Sequence, residues 1–304
     1  MLRRIEELTI PPAWTDVWIC PDPMGHLQAT GIDAAGRKQY LYHERWRVHR
    51  DREKFDRMLR FGKRLPRLRR RITRRLRGDE LDYARVIACA VRLLDIGMFR
   101  VGNAEYAEDD GGVGLATVGK RHVSVNGRVV TFDYPAKGGA RRVQQIEDRT
   151  CAAVVGALKA RRRGGSQLFA FRDTGRWRNL GAEDINAYLK RGLGDEFSAK
   201  DFRTWNATVM AAVALATDGG DASSRASRQR HIKRAVRAVA ELLGNTPAVA
   251  RRSYIDPRVF DAYLSGLTVG AAVNAVGDLD VSSDRVRNRI ERAVLELLAD
   301  WGTG

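Results

Sequence analysis

Gly244-Asn245-Thr246-Pro247-Ala248-Val249-Ala250-Arg251-Arg252-Ser253-Tyr254-Ile255-Asp256-Pro257 is the stretch around which the rest of the 304-residue chain can be ordered. A helical run leads into Asn245 and on to Tyr254. A tyrosine has an unperturbed pKa of about 10, so near neutrality it is a poor nucleophile unless positive charge helps remove its proton. Arg251 and Arg252 supply some of that charge. Arg100, Lys137 and Arg203, far apart in sequence, each stand in a local context that suits phosphate chemistry. Tyr254 therefore reads either as a nucleophile toward a phosphate or as an aromatic anchor at a helix end.

Charge selects the partner. The formal net charge is +17, well beyond what solubility requires, and a polyanion is its simplest cause. Gln, Tyr and Trp interleave with the basic stretches, which favours nucleic acid over a membrane surface. No apolar run reaches bilayer length and the N-terminus lacks a signal-peptide core, so a cytoplasmic protein is expected. Cys20, Cys89 and Cys151 are isolated and read as reduced thiols packed as small apolar residues. The histidines form no ligand spacing and no nucleotide-binding glycine motif is present, so neither a metal nor a cofactor is expected.

The pattern is α+β. Short extended runs at residues 17–20, 26–32 and 38–42 predict a small antiparallel sheet. In the third, Lys38, Tyr40 and Tyr42 alternate onto one face and Gln39 and Leu41 onto the other. The first face suits duplex contact and equally suits an ordinary solvated strand. Residues 44–77 read as helical, with Phe61, Leu65, Leu68, Ile72 and Leu76 at helical spacing and Pro66 as a break or a helix start. Residues 57–77 hold eleven cations and no acid, a run better suited to DNA backbone than to solvent. Composition shifts at Gly78-Asp79-Glu80, which sets expected domains of 1–78, β-rich, and 79–304, mainly helical.

In the second domain, residues 81–96 predict a buried helix that delivers Arg100, whose ordinary alternative is a buried arginine paired to Glu105 or Asp109. Residues 113–118 read as a short helical piece. The Asn126-Gly127 turn between runs 122–125 and 128–134 is a hairpin signal, and 141–146 adds a third strand. Lys137 then falls on a glycine-flanked turn. Helices are expected over 148–159, 182–191, 199–217, 228–243 and 284–301. The third starts behind Ser198 and brings Lys200 and Arg203 to one face near its N-terminus, a good phosphate site. Residues 218–227 read as a flexible linker ahead of the nucleophile segment, and the last helix, with Val286, Ile290, Val294 and Leu297, as a packing element without chemistry.

Five blocks occur in a fixed order: Gly36-Arg37-Lys38-Gln39-Tyr40; Arg100-Val101-Gly102-Asn103 with Tyr106; the hairpin with Lys137; Lys200-Asp201-Phe202-Arg203; and Asn245-Thr246-Pro247 through Ser253-Tyr254. Together they resemble the type IB DNA topoisomerases, above all the small poxvirus-like and bacterial members, over about residues 8–265. The resemblance implies a small β-rich N-terminal domain and a mainly α-helical catalytic domain with a small three-stranded sheet, closing as a monomeric clamp around duplex DNA. It implies relaxation of positive and negative supercoils at the nucleoid without ATP or metal. Tyr254 would form a covalent 3′-phosphotyrosyl bond, Arg100 and Arg203 would grip the non-bridging oxygens, and Lys137 would be the general acid. Asn245 stands where many members have histidine and would stabilise by hydrogen bonding alone. Arg37, Lys38, Gln39, Tyr40, Tyr42 and Lys200 would contact DNA. Tyrosine recombinases share the Arg, Lys, Arg and Tyr set but resemble His-x-x-Arg where this chain has Lys200-Asp201-Phe202-Arg203. A non-enzymatic basic DNA-binding protein would account for the charge alone.

Overall fold

A computed structural model describes residues 2–102, 112–218, 220, 222–277, 279–280 and 282–301. Asn103, Glu105, Tyr106 and Asp109, named above, lie outside the described residues. By contacts the chain forms two compact units, Met1–Arg57 and Met58–Gly304.

The first unit holds helix α1 (Leu2–Glu7) and an antiparallel sheet in the order β1 (Thr15–Ile19), β2 (Leu27–Ile32), β3 (Lys38–Tyr42). The central strand β2 is the buried one, and Gly31 lies under Trp14 so closely that a Cβ there would come within 2.7 Å of the ring. Along β3 exposure alternates as the pattern requires, with Lys38, Tyr40 and Tyr42 outward.

Helix α2 (Glu44–Leu76) runs through the division between the units, and Pro66 neither breaks nor starts it. Proline removes one backbone donor and crowds the carbonyl four residues earlier, which here belongs to Gly62. Phe61 and Leu65 before it and Leu68, Ile72 and Leu76 after it are all buried in one core, and that burial outweighs the local penalty. The compact units part inside α2, ahead of Gly78, because this apolar stripe belongs to the second core. The cationic run is also less free than the sequence suggests, since Arg69 is buried between Asp95 and Glu291 and Arg64 pairs with Glu196.

In the second unit, α3 (Tyr83–Gly97) is capped by Asp82, whose side chain accepts from the Arg85 amide at 2.8 Å, and is buried on most faces. A 3₁₀ turn, Leu115–Thr117, stands where a short helical piece was expected. The sheet β4 (Val123–Asn126), β5 (Val129–Pro135), β6 (Arg141–Glu147) follows, antiparallel throughout, with Gly127 at φ 59° in the tight turn. Helix α4 (Arg149–Ala160) leads to a hairpin the sequence reading left unassigned, β7 (Ala170–Asp173) and β8 (Arg176–Asn179). Its turn, Thr174-Gly175, has positive φ at both residues.

The remainder is helical: α5 (Ala182–Leu193), α6 (Ala199–Thr217), α7 (Arg225–Leu243), α8 (Pro247–Ser253), α9 (Arg258–Leu264), α10 (Gly270–Val276) and α11 (Asp284–Asp300). Trp205 on α6 is fully buried, and a Cβ on Gly62 would meet its ring at 2.5 Å, so α2 and α6 meet at a point only glycine permits.

Two expectations change. The 218–227 linker is anchored where it is described: Asp218 pairs with Arg234 at 2.7 Å, and Ser224 accepts from the Ser227 amide at 3.0 Å, so α7 starts at Arg225. Asp218 serves as an ion-pair partner and Ser224 as a cap. Helix α11 buries Ile290, Val294 and Leu298, and with them Arg287 and Glu291, so its inner face is charged as well as apolar.

Candidate active site

Helix α3 ends at Met98, a left-handed cap with φ 51°, and the chain turns there to present Arg100. The segment at Arg100 and Val101 is fixed by backbone bonds from Leu115 to the Arg100 carbonyl (2.9 Å) and from Ala116 to that of Val101 (2.7 Å). Gly102 and Gly114 cross there so closely that a Cβ on Gly114 would come within 2.4 Å of Gly102. Lys137 sits exposed on the turn from β5 to β6, which closes through the Ala136 amide and Ala140 carbonyl at 2.8 Å, with Gly138 and Gly139 at positive φ.

Helix α6 begins with Asp201 reaching back to the Ser198 amide at 2.8 Å, so the cap is made by Asp201 rather than by Ser198 alone. One turn in, Arg203 is 3% exposed, donating to the carbonyls of Met98 and Leu243. Helix α7 closes on Gly244 in the left-handed region (φ 61°), and the next residue is Asn245. Its Oδ1 accepts from Arg203 at 2.8 Å and from Arg100 at 3.2 Å. One amide oxygen thus holds two guanidiniums side by side. Thr246 then caps α8 with proline at its first position, and Tyr254 is the C-cap residue. The Tyr254 carbonyl accepts from Thr208 at 3.3 Å, and the same hydroxyl accepts from the Asp256 amide at 3.0 Å, which pins the segment around Tyr254 to α6.

The Arg203 guanidinium lies 5.2 Å from the centre of the Tyr254 ring. Burial works against ionisation of Tyr254, yet Arg203 and Arg100, helped by Lys200, overcome it and hold the phenol below its usual range. Arg203 itself is lowered to about 10, first by burial and then by the charge of Arg100. Among the described residues neither Arg100 nor Arg203 has a carboxylate partner, and the buried Nε of Arg203 finds no hydrogen-bond acceptor. Two adjacent cations whose partners among the described residues are neutral, beside an acidified phenol, are arranged for an anion.

The sequence also matches known families. Residues 43–264 match the family model described as the catalytic core of eukaryotic DNA topoisomerase I, and residues 1–33 match the N-terminal domain of bacterial DNA topoisomerase IB. The chain belongs to the type IB DNA topoisomerase family. It is 31% identical over 269 residues to DNA topoisomerase 1B of Acanthamoeba polyphaga mimivirus, a match covering 86% of this chain and 80% of the relative. To DNA topoisomerase 1B of Vaccinia virus (strain Copenhagen) it is 19% identical over 262 residues, covering 84% and 80%.

The protein is thus a DNA topoisomerase, an isomerase acting on DNA topology. A cleft of about 1130 Å³ is lined by Arg100, Tyr134, Lys137, Arg142, Arg203 and Gly244, among others. Tyr254 is 7% exposed and does not line the cleft, its ring lying against Arg203, which does. Lys200 is exposed on the first turn of α6.

Arg37, Lys38, Gln39, Tyr40 and Tyr42 lie in the topoisomerase's first unit. Tyr40 and Tyr42 stack at 6.2 Å with Lys38 6.0 Å from the Tyr40 ring, while Gln39 turns to Asp33 at 2.8 Å and Arg37 pairs with the same carboxylate at 3.0 Å. Trp18, which the sequence reading passed over, is 48% exposed and shares their face, being paired through Thr30 with Tyr40. Arg142 and Tyr134 were also missed. Arg142 donates to the Leu242 carbonyl at 2.6 Å and lies so near Gly244 that a Cβ there would meet it at 2.6 Å. Its signal was available, since Arg142 falls in the inward phase of β6 with Gln144 and Ile146. Tyr134 feels Arg142, Arg203 and Arg100, but burial dominates and its phenol is pushed up, so of these two tyrosines Tyr254 is the one acidified.

Among the described residues no group of three or more His, Cys, Asp or Glu is set to hold a metal ion, and no helix is long and apolar enough to cross a membrane.

Proposed function

We propose that Tyr254 attacks a phosphate of duplex DNA to form a 3′-phosphotyrosyl bond, with Arg100 and Arg203 on the non-bridging oxygens and Lys137 as general acid. The observation that carries this is the bridging of both guanidiniums by the Asn245 oxygen, next to the phenol whose proton they loosen. The phenol proton goes to water. The phenolate oxygen then bonds to phosphorus as the bond to the 5′ oxygen breaks, and that oxygen leaves with the proton of Lys137. Charge gathers on the non-bridging oxygens in the five-coordinate transition state, where forked guanidinium donors match its geometry. With its oxygen engaged by the arginines, Asn245 has its amide N–H groups to offer the phosphate.

One phosphodiester is exchanged for another, so the adduct keeps the bond energy and religation is the reverse attack, with no nucleotide or metal in the balance. Between the two steps the free 5′ end rotates, and torsional strain of either sign drives relaxation. Residues 1–78, the sheet and the basic helix, are read as the DNA-gripping part of a monomeric clamp, and residues 79–304 as the part that carries the chemistry. The exposed basic and aromatic face of β3 and the charge of +17 support this, and Lys200 would meet phosphate near the scissile bond. Work on chromosomal DNA implies the cytoplasm, at the nucleoid.

The test is incubation with positively and with negatively supercoiled plasmid in EDTA without ATP. Stepwise relaxation of both is expected. A requirement for ATP, or relaxation of one sign alone, would contradict the reading.

A further inference from the structure

Asp95 is a buried carboxylate that accepts from two arginines of different helices, and it has no part in the chemistry above. It stands in the last turn of α3, five residues before Arg100. Its side chain accepts from Arg69 of α2 at 2.9 Å through each oxygen, and from Arg287 of α11 at 2.7 Å and through a second, shorter contact. Its backbone carbonyl, left without a helical partner at the helix end, accepts from Asn206 of α6 at 2.7 Å and from Arg287 at 3.0 Å. Glu291, one turn along α11 from Arg287, completes the cluster by accepting from Arg69 at 2.6 and 2.9 Å. All four charged groups are buried. Burial alone would push the Asp95 carboxyl up, but Arg287 and Arg69 overcome it and keep it ionised.

The position of this cluster matters more than its charge. Asn206 lies one turn beyond Arg203 on α6, and Met98, three residues beyond Asp95, gives its carbonyl to Arg203. Asp95 therefore ties the end of α3, which presents Arg100, to the part of α6 that presents Arg203. Arg287 grips both the side chain and the carbonyl of that one residue. It does so from α11, which lies beyond the residues that match the catalytic-core family model.

We propose that Arg287 is a positioning residue for catalysis, holding Asp95 so that Arg100 and Arg203 stand at the spacing a phosphate requires. The proposal rests on Arg100 and Arg203 being the phosphate-gripping pair. Mispositioning by about 1 Å is enough to slow a reaction a hundredfold.

The experiment is single-turnover cleavage of a duplex by Arg287→Gln and Arg287→Lys, with Arg203→Ala run alongside, each checked for folding by circular dichroism and for DNA affinity. Two substrates are compared, a normal scissile phosphate and a methylphosphonate, which is uncharged and lacks one of the oxygens to be gripped. Folded Arg287→Gln is expected to cleave the phosphate about tenfold to a hundredfold more slowly, with affinity within about threefold of wild type. Its defect should shrink on the methylphosphonate, and Arg287→Lys should recover part of the rate. A wild-type rate, or an equal defect on both substrates, overturns the proposal. If Arg203→Ala also cleaves normally, it is the phosphate-gripping reading that fails. Glu291→Gln, which keeps the shape of the cluster, covers the case in which Arg287→Gln does not fold, and the same loss and methylphosphonate recovery are expected of it. Should it cleave normally or fail to fold as well, α11 is a stability element and the proposal is lost.

Discussion

The guanidinium of Arg203 lies 5.2 Å over the ring of Tyr254, and the charge of the second arginine, Arg100, also acts on the phenol. Burial alone would make Tyr254 a weaker acid. The cations reverse this, so the group is an acid with a lowered pKa, and its reactive ionised fraction rises with pH and then levels off below the ordinary value of about 10.

Cleavage followed in single turnover across pH should therefore climb and flatten before pH reaches about 10. Lys200→Gln removes one of the cations that act on the phenol and should move the bend toward the ordinary tyrosine value while leaving the fold intact. A bend at or above about 10, unmoved by Lys200→Gln, would count against electrostatic activation.

Asn245 is expected to act as a spacer as much as a donor. Hydrogen bonds to charged groups are each worth about 1.5–3 kcal/mol, and Asn245→Ala removes two that converge on one oxygen. Cleavage should slow about tenfold to a hundredfold, since about 1.4 kcal/mol is a factor of ten, with DNA affinity little changed. Rapid-quench kinetics and a filter-binding titration separate these effects.

Arg203 carries its charge in the interior with neutral partners among the described residues, and its pKa falls to about 10. A base that binds its proton more weakly folded than unfolded makes stability rise with pH above about 10, so at neutral pH the charge is a net cost to folding. An anion relieves that cost. Millimolar sulfate should raise Tm in wild type by more than in Arg203→Gln, measured by scanning calorimetry at constant ionic strength. Equal shifts would contradict it.

Gly244 meets two demands at once, a left-handed backbone and the approach of Arg142. Gly244→Ala should cost about 1–2 kcal/mol for the backbone alone. It should also slow cleavage beyond that of an equally destabilised surface variant, because Arg142 links the strand after Lys137 to Leu242, three residues before Asn245. Urea titration together with cleavage kinetics would test this.

Much of this was legible in the residues. The alternation of β3, the Asn126-Gly127 turn and the buried run of α3 follow local periodicity, so their elements lie close to where the spacing put them. Tyr254, Arg100, Arg203 and Asn245 were found by motif, and they meet in space although 154 positions separate the first two. What escaped was tertiary. Pro66 reads as a break until the core on both sides of it is known, and Arg69 reads as a DNA contact until Asp95 and Glu291 are seen to enclose it. Arg287 drew no notice within a helix read as a packing element, because nothing in its own segment announces Asp95, 192 residues earlier.

The central claim is that Tyr254 becomes covalently joined to a 3′ phosphate. The most direct measurement traps the enzyme on a labelled duplex with denaturant, digests it with protease and identifies the DNA-bearing peptide by mass spectrometry. A peptide containing Tyr254 on the 3′ side of the nick, absent in Tyr254→Phe, is the expected result. An adduct on Tyr134 or any other residue, a 5′ linkage, or an adduct that survives Tyr254→Phe would contradict it.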